Sequence, residues 1–392
     1  MEIPNLHIVI YSELLEYGGG RETWLEYFLQ GLINNERFFG EIWVHHLHSR
    51  SQADSLAIKI KNINFNELDL GFPEKNNTLI NMIKFTRFIV RSLKQNAENR
   101  DIVLFVGTGM EAVATLIMGL LCKKNITMLV WVRSIIAGEL MSRKSTIASR
   151  FAQKLEKRAF SIADGIIFNG KDTKQYYEKM YADMSNKFTT IENAVKYDEF
   201  AVLDFPDFGN NYYNIGYIGR FSREKGFDNL IEAAELLEKQ EKPNNTVKIH
   251  AWGHGINFDN VPSNIKISNY ITRNNVPMVL EFCHGVLFLN KSAKHEAGGL
   301  SHGLLEAMAA GRLIIAWDNV IHRQVLDESN AILVPEGKIE QLAYTLTEII
   351  NMDKEKLISK CENARATAKQ FTVKKHIEKF IQFIRNIVIR EN

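Results

Sequence analysis

Short runs of apolar residues alternate with longer segments of helical periodicity along the whole chain. Short apolar runs bounded by turn residues are typical of strands buried on both faces, and apolar residues three to four positions apart predict amphipathic helices. In the first half the pattern predicts strands at Leu6–Tyr11, Ile42–Leu47, Ile102–Val106, Met128–Val132 and Gly165–Phe168. Helical segments are predicted between them at Arg21–Ile33, Leu79–Ala97 and Ile147–Ala163.

The segment Asp204–Tyr213 contains Pro, Gly and Asn, interrupts the pattern and is typical of a linker. The alternation then restarts with strands predicted at Ile215–Ile218, Val247–Ala251, Ile265–Ser268, Val286–Leu289, Leu313–Ala316 and Ile332–Val334. Buried strands separated by helices indicate parallel sheets. The sequence therefore predicts an α/β protein with two Rossmann-like, doubly wound domains at residues 1–205 and 206–372. A C-terminal helix, residues 373–392, is expected to pack back on the first domain.

Length and charge refine this picture. A chain of 392 residues is too long for one ordinary hydrophobic core, which favours two domains. A net charge of +2 argues against a nucleic-acid partner. Residues 80–160 nevertheless carry 14 Lys and Arg against 5 Asp and Glu. Such a basic region can bind phosphate, anionic lipid or nucleic acid, or it can form solvated helix faces. The binding region and the solvated faces both stay open at this point.

The cysteines and the N-terminus bear on location. Cys122, Cys283 and Cys361 are widely spaced and match no metal pattern, which favours a reducing compartment. No basic segment precedes the first apolar run, and no stretch approaches the roughly 18 apolar residues of a membrane span. We expect a cytoplasmic protein, or one bound peripherally to the cytoplasmic membrane face. His45 and His46 are adjacent in a strand and point to opposite faces, which disfavours a metal site.

Ligands of parallel sheets bind at the carboxyl ends of strands, where helix N-termini offer N–H groups. Two glycine-containing segments occupy such positions in the sequence. In YGGGRETW, residues 17–24, Gly19 and Gly20 allow a close backbone approach, with a flexible turn as the alternative. In GRFSREKGF, residues 219–227, Arg220 and Lys225 lie around one turn, where both cations can reach a diphosphate.

A third segment, residues 296–311 (EAGGLSHGLLEAMAAG), joins a predicted strand to a short helix. Backbone N–H groups of Gly299–His302 are expected to face a ligand. Glu306 lies one turn into the helix, where a carboxylate can accept both hydroxyls of a ribose. Its neighbours Leu305 and Met308 are apolar, so an acid at this position requires a partner.

These motifs resemble those of the retaining GT-B glycosyltransferases of family 4, most specifically between Asn214 and Pro335. The family's G-R-x(4)-K-G stretch is similar to Gly219–Gly226, and its Gly-x-Gly is similar to Gly253–Gly255. Its E-G-x-[SG]-x(3)-L-E-A-M-A-x-G segment is similar to Gly298–Gly311. Weaker similarity is found at Gly18–Gly20, Ala163–Asn169 and Ile191–Val195.

The resemblance implies the GT-B fold, with its two domains facing across a cleft. It also implies retaining transfer of a sugar from a UDP- or GDP-sugar to a glycan or lipid-linked acceptor, without metal or cofactor. Cell-surface polysaccharide or glycoconjugate synthesis is the expected setting. In this family Arg220 and Lys225 would hold the leaving diphosphate and Glu306 the ribose. Arg133 is the expected acceptor contact, with a structural ion pair as the alternative. The donor-binding residues would be Gly19, Gly20, Gly219, Gly253, His254, Gly298, Gly299, Leu300, Ser301 and His302.

One departure from the family pattern affects the assignment. The family has two glutamates separated by seven residues, and counting back from Glu306 places the first at Gly298. Glu296 is the candidate replacement. This departure motivates an alternative, a catalytically degenerate subunit that binds a sugar nucleotide or glycan beside a partner transferase. A sugar-nucleotide epimerase is a further alternative. A nicotinamide dehydrogenase is disfavoured because neither half contains G-x-G-x-x-G.

Overall fold

The chain folds into two compact units. The first unit comprises Met1–Asn193, Lys294–Gly299 and Lys374–Asn392, and the second comprises Ala194–Ala293 and Leu300–Val373. The computed structural model describes residues 3–15, 19–34, 38–48, 56, 60–70, 78–108, 110–121, 125–133, 135, 146–239, 247–255, 261–269, 271–292 and 299–390.

The first unit is built on a parallel sheet. Its strands are β1 (Leu6–Val9), β2 (Ile42–Leu47), β3 (Asn64–Leu68), β4 (Ile102–Val106), β5 (Thr127–Val132), β6 (Gly165–Phe168) and β7 (Phe188–Thr190). Its helices are α1 (Gly20–Asn34), α2 (Thr78–Asn96), α3 (Met110–Leu121), α4 (Thr146–Ile162) and α5 (Lys171–Met180), with a 3-10 helix at Ala182–Lys187. The strand order is β3-β2-β1-β4-β5-β6-β7. The order therefore reverses between β1 and β4, which creates a crevice at their carboxyl ends.

The second unit repeats this plan. Its strands are β8 (Tyr213–Ile218), β9 (Val247–Trp252), β10 (Ile265–Ser268), β11 (Gly285–Phe288), β12 (Leu313–Asp318) and β13 (Ile332–Pro335). Its helices are α6 (Tyr197–Ala201), α7 (Phe227–Glu238), α8 (Val276–Phe282), α9 (His302–Ala309), α10 (Ile339–Glu348) and α11 (Lys354–Ala368), with 3-10 helices at Arg273–Asn275, His322–Gln324, Ile349–Asn351 and Lys369–Phe371. The strand order is β10-β9-β8-β11-β12-β13, with a reversal between β8 and β11.

The structure confirms the predicted parallel sheets, and two strands were missed. Strands β1, β4, β5 and β6 are buried along their whole length, as their apolar runs predict. The missed strands, β3 and β7, lie at the two edges of the first sheet. Strand β3 reads NFNEL and is half exposed, and β7 has only three residues. Edge strands need little apolar surface, so periodicity does not reveal them.

The C-terminal helix α12 (Val373–Arg390) lies within the first unit from Lys374 onwards. Its buried residues Ile377, Phe380 and Ile384 recur at helical spacing and form one apolar face. The Phe380 ring stacks on Trp131 of β5 with centroids 5.7 Å apart. None of the helices in the described ranges has the length and hydropathy needed to cross a membrane.

Buried histidines form a polar network inside the first unit. His7 Nδ1 lies 3.2 Å from His45 Nε2, and His7 Nε2 lies 3.3 Å from Asp101 Oδ2. His45 Nδ1 is also 3.1 Å from the hydroxyl of Ser92. Burial, and secondarily the neighbouring charges of His7 and His46, lower the pKa of His45 to about 3. His45 is therefore neutral at physiological pH.

Acid is expected to destabilise the fold through its buried neutral histidines. Burial is also the main cause that lowers the pKa of His376 to about 3 and of His322 to about 4. In the unfolded chain these imidazoles bind protons below about pH 6.5, whereas the folded state resists protonation, so stability falls with pH from 6.5 towards 4. At pH 5 each of these histidines is expected to lower the free energy of unfolding by about 2 kcal/mol. Urea unfolding at pH 7.5 and pH 5 measures the difference in the free energy of unfolding. The exposed-residue variant His254→Gln should leave the difference unchanged, and equal stability at the two pH values would contradict the prediction.

Candidate functional site

The carboxyl ends of β8 and β11 lie side by side at the strand-order reversal of the second sheet. Strand β8 continues through α7 to β9 on one side, while β11 pairs with β8 on the other. Chain segments therefore leave this point in opposite directions and open a crevice, where ligands of such sheets bind. The segments following β8 and β11 were two of the three motifs singled out in the sequence.

Glycine allows the segments after β8 and β9 to lie against each other. The Gly219 amide donates to Trp252 O at 3.0 Å, and the Phe221 amide donates to His254 O at 2.8 Å. A Cβ on Gly253 would lie 1.9 Å from Gly219 O, so no side chain fits there. Gly253 is thus required for backbone packing at the crevice, and His254 beside it is exposed.

Arg220 and Lys225 lie on one turn that Tyr217 supports. The Tyr217 hydroxyl donates to Arg220 O at 2.8 Å and lies 3.3 Å from Lys225 O. Gly226 then begins α7 as its N-cap in the left-handed conformation, with φ of 68°. The turn therefore places both cations next to a helix N-terminus, which favours anions.

The Lys225 ammonium lies in an electrostatically unfavourable place. Burial, and secondarily the positive charge of Arg220, lower the pKa of Lys225 to about 8. The charge of Lys225 in turn contributes to the lowered pKa of His322, which follows β12. Among the described residues, no carboxylate lies within 4.0 Å of Lys225 Nζ or the Arg220 guanidinium. An anionic group bound beside them would stabilise both charges.

A polar clamp that the sequence reasoning missed holds the segment after β11. Lys291 Nζ donates to Asp228 Oδ2 at 2.7 Å, and the Lys291 amide donates to Glu224 O at 3.0 Å. The Ser292 amide donates to Glu336 Oε1 at 2.9 Å. These contacts tie the β11 segment to the Lys225 turn and to the segment after β13. Polar residues directly after the apolar run Val286–Leu289 are the one sequence signal that could have indicated it.

Helix α9 opens with a side-chain cap. Ser301 is the N-cap residue, and its Oγ accepts from the Leu304 amide at 3.1 Å. His302 is buried and its Nδ1 donates to Ala194 O at 2.9 Å, while Leu300 is also buried. The side chains of Ser301 and His302 thus build the helix start. A ligand at this position would be bound by the remaining first-turn N–H groups, which have no partner within the helix.

Glu306 lies one turn further along α9 and forms an ion pair that the sequence did not reveal. Its side chain is 2% exposed, and both carboxylate oxygens bind the guanidinium of Arg273, which is 18% exposed. One of these contacts is Arg273 Nη1 to Glu306 Oε2 at 3.1 Å. The partner that an acid among apolar neighbours requires is therefore Arg273, from the 3-10 helix before α8.

Gly19, Gly20 and Arg133 come together in the first unit. Arg133 follows β5, its guanidinium lies 5.0 Å from the centre of the Trp24 ring, and its Nη2 donates to Gly20 O at 3.4 Å. Burial, and then the charge of Arg21, lower the pKa of Arg133 to about 9. Within the described part of the chain, Arg133 Nη1 is buried without a hydrogen-bond partner. Arg133 thus retains donor capacity for a ligand.

Of the remaining residues singled out in the sequence, Gly299 is described by the structure, whereas Gly18, Glu296 and Gly298 are not. Gly299 has φ of 58°, its amide donates to Asp172 Oδ2 at 3.3 Å, and an added Cβ would lie 2.5 Å from the Asn169 side chain. Gly299 is therefore enclosed by first-unit residues. Glu296 and Gly298 lie outside the described residues, and so does Gly18.

Replacing Gly226 with alanine is expected to lower stability by more than the left-handed backbone conformation alone would cost. A Cβ on Gly226 would lie 2.0 Å from Leu289 O, whereas Gly337, with φ of 76°, has nothing within 4 Å. Gly337→Ala should cost about 1 kcal/mol for the backbone conformation. Gly226→Ala should cost at least about 2 kcal/mol more, because the clash is with backbone. Urea unfolding of both variants measures the difference, and equal losses would mean that the contact with Leu289 is unimportant.

Comparison with known proteins places the geometry in context. Residues 212–352, which contain Arg220, Lys225, Arg273 and Glu306, match the family model of group 1 glycosyl transferases. A poly(ribitol-phosphate) alpha-N-acetylglucosaminyltransferase of Staphylococcus aureus (strain COL) is 28% identical over 182 residues, 44% of this chain and 34% of that protein. The chain thus matches about a third of the length of this curated relative.

Solved structures share the fold over nearly the whole chain. Sucrose-phosphate synthase from Thermosynechococcus elongatus has a TM-score of 0.78 at 13% identity and covers 99% of this chain and 100% of its own. A variant of S. aureus TarM, in complex with fondaparinux, alpha-GlcNAc-glycerol and UDP, has a TM-score of 0.74 at 14% identity, covering 97% and 99%. The predicted GT-B fold class, with two Rossmann-like parallel-sheet domains, is confirmed. Over residues 212–352, the segment that carries the β8–β11 crevice, the chain is similar in sequence to the group 1 glycosyl transferases.

Proposed function

We propose that this protein is a retaining glycosyltransferase that moves a hexosyl group from a nucleoside-diphosphate sugar to a glycan or lipid-linked acceptor, without a metal. The observation that carries the proposal is the pair Arg220 and Lys225 at the β8–β11 crevice. The lowered pKa of Lys225 marks a site that an anion would stabilise. This pair lies within the segment that matches the group 1 glycosyl transferases.

The proposed mechanism uses the charges of the second unit. Departure of the nucleoside diphosphate from the anomeric carbon leaves negative charge, which Arg220, Lys225 and the first-turn N–H groups of α9 would stabilise. Glu306 would accept hydroxyls of the ribose while Arg273 holds its carboxylate in place. A phosphate oxygen of the leaving group would take the acceptor proton, so the step needs no separate general base. The acceptor oxygen then bonds to the anomeric carbon on the face that the diphosphate leaves.

The comparisons support UDP as the nucleotide to test first. The TarM variant is in complex with UDP, and the S. aureus relative is by name an N-acetylglucosaminyltransferase that acts on poly(ribitol-phosphate). A polymer with repeated phosphates also fits Arg133 of the first unit, whose Nη1 has no hydrogen-bond partner among the described residues. We therefore propose cell-surface glycopolymer synthesis as the setting, at the cytoplasmic membrane face.

Nucleotide binding tests the proposal most directly. A ligand that binds the native state raises the melting temperature by mass action. We expect UDP or GDP to raise it and uridine at the same concentration to have no effect, because the diphosphate makes the contacts with Arg220 and Lys225. A chain that no nucleoside diphosphate stabilises at millimolar concentration would argue against the site.

A degenerate binding subunit is the second candidate, and the sequence at Gly298 favours it, since the family has a glutamate there. Product analysis separates the two. Reproducible transfer or donor hydrolysis by the purified chain, abolished by Lys225→Ala, supports the enzyme. Nucleotide binding without turnover in the presence of phosphate-containing and neutral glycan acceptors supports the binding subunit. Loss of turnover in Glu296→Gln would further identify Glu296 as the replacement carboxylate.

A further inference from the structure

A long groove runs between two neighbouring helices of the first unit. It has a volume of about 530 Å³ and follows α2 from Met82 to Gln95 along α3. At 1.5 Å per residue this stretch is about 20 Å long. Its walls include Met82, Val90 and, from α3, Val113 and Ile117. The groove is therefore an extended apolar channel open to the surface.

Cations line one side of this groove. Arg87, Arg91 and Lys94 lie at helical spacing on α2, are exposed, and belong to the groove wall. The described lining contains no Asp or Glu. The groove thus combines an apolar channel with a row of positive charges, which suits a ligand with a hydrocarbon part and an anionic part.

The neighbouring helices extend this charge pattern. Helix α3 packs between α2 and α4, so the three helices form one layer. The only carboxylates in these helices are Glu111 and Glu156, and both are buried. Glu111 accepts from the Tyr11 amide at 2.9 Å, and Glu156 accepts from the Tyr177 hydroxyl at 2.7 Å. Both acids thus face the interior, and the charged side chains exposed on this layer are all cationic: Arg87, Arg91, Lys94, Arg150, Lys154, Lys157 and Arg158.

Large apolar side chains stand among these cations. Ile147 is 84% exposed and Phe151, one turn further along α4, is 60% exposed. On α2, Ile80 and Ile83 are 41% and 43% exposed. Solvated helix faces bear charges of both signs and few large apolar residues, so this surface departs from that pattern.

We propose that the layer α2–α4 docks on a membrane that contains anionic phospholipid, with the α2–α3 groove receiving a lipid chain. The cations would contact headgroup phosphates, while the exposed Ile and Phe side chains would enter the headgroup–acyl boundary. The groove length, about 20 Å, exceeds the roughly 15 Å that one leaflet contributes to the hydrocarbon core. Nucleic acid is the weaker candidate because exposed aliphatic residues and an apolar channel offer nothing to a phosphate backbone.

Membrane docking would place the chain where a lipid-linked acceptor lies, and this consequence rests on the proposed function. The docking itself does not rest on the proposed function, because vesicle binding involves no sugar nucleotide. Failure of vesicle binding would remove this inference and leave the diphosphate site untouched. Failure of nucleotide binding would leave docking intact.

Co-sedimentation with vesicles tests the inference. The full chain should bind phosphatidylglycerol-containing vesicles and bind pure phosphatidylcholine vesicles at least tenfold more weakly, with the anionic binding falling as salt rises. Arg87→Gln/Arg91→Gln should weaken the anionic binding roughly 30-fold, since each cation near the surface contributes about fivefold. The matched variant Lys354→Gln/Lys356→Gln removes two exposed cations of α11 and should bind like the wild type.

A second variant separates lipid insertion from charge alone. Ile83→Ser/Phe151→Ser keeps every charge and should weaken vesicle binding about tenfold or more without changing the salt dependence. Both positions are exposed, so folding should be unaffected, which thermal melting checks. The proposal would be overturned if the chain bound no vesicles at low salt, or if the α11 variant lost as much vesicle binding as Arg87→Gln/Arg91→Gln. Unchanged vesicle binding by Ile83→Ser/Phe151→Ser would also overturn it. Tighter binding to a DNA duplex than to anionic vesicles would do so too.

Discussion

Replacing Lys225 with alanine is expected to lower kcat/KM for sugar transfer by at least about 100-fold. One donor aimed at developing charge typically contributes a factor of 10² to 10³, and Lys225 supplies a full charge from a partly desolvated position. The same reasoning applies to Arg220→Ala, which removes a planar guanidinium suited to two phosphate oxygens. Initial rates at several donor concentrations measure the change. A loss of less than about threefold in either variant would show that these cations do not bind the diphosphate.

Arg223 provides the matched control for this prediction. It lies in the same turn and is exposed, and no role in phosphate binding is assigned to it. Arg223→Ala should therefore leave kcat/KM within about threefold of the wild type. If Arg223→Ala and Lys225→Ala lose activity equally, the effect comes from the general positive potential of the turn and not from a specific contact.

The pH dependence of kcat/KM should also report the charge of Lys225. Because the pKa of Lys225 in the free protein is about 8, its charge is lost as pH rises through that value. We expect kcat/KM to fall above pH 8. In Lys225→Arg, whose side chain stays charged, the fall should move to higher pH, even if the maximum rate is lower. An unchanged profile in Lys225→Arg would assign the titration to another group.

Removal of Glu306 is expected to destabilise the second unit by about 3 kcal/mol. The loss removes the Glu306 carboxylate from the largely buried Arg273 charge, and breaking a buried ion pair costs several kcal/mol. Glu306→Ala should also abolish the stabilisation by a nucleoside diphosphate, if the carboxylate binds the ribose. Urea unfolding with and without UDP or GDP measures both effects.

A double-mutant cycle with Arg273 tests whether the two residues act as a pair. Arg273→Ala alone should also destabilise, because the buried Glu306 carboxylate then loses the guanidinium that binds both of its oxygens. The double variant should be less destabilised than the sum of the single variants by about 1–3 kcal/mol. Strict additivity would contradict the ion pair as the reason for the position of Glu306. If Arg273→Ala retains nucleotide binding while Glu306→Ala loses it, Arg273 positions the carboxylate and does not contact the ligand.

The donor motifs illustrate how far sequence reasoning extends. Residues near each other in the chain, such as Arg220, Lys225 and Gly226, could be placed on one turn because strand, loop and helix follow within a few positions. The structure has all three on that turn. Their role in binding a diphosphate stays a prediction that the experiments above address.

Partners distant in the chain could not be found in the same way. Arg273 is 33 positions from Glu306, and Glu336 is 44 positions from Ser292. Nothing in local periodicity links such pairs, because the strand order of the sheet determines which loops meet. Ser301 and His302 were expected to present backbone N–H groups to a ligand, and the sequence did not reveal that their side chains cap α9 and bind Ala194 O.

Sequence by itself determined the two parallel sheets, most of their strands and the glycine turns, because burial on both faces and left-handed turns each restrict which residues are allowed. It also determined the excess of cations at residues 80–160. Only the tertiary structure decided that Glu111 and Glu156 turn inward, while the exposed cations and the exposed Ile and Phe side chains of α2 and α4 turn outward. It likewise decided which carboxylate pairs with which cation. Those outcomes depend on contacts between segments far apart in the chain, and a one-dimensional pattern does not contain them.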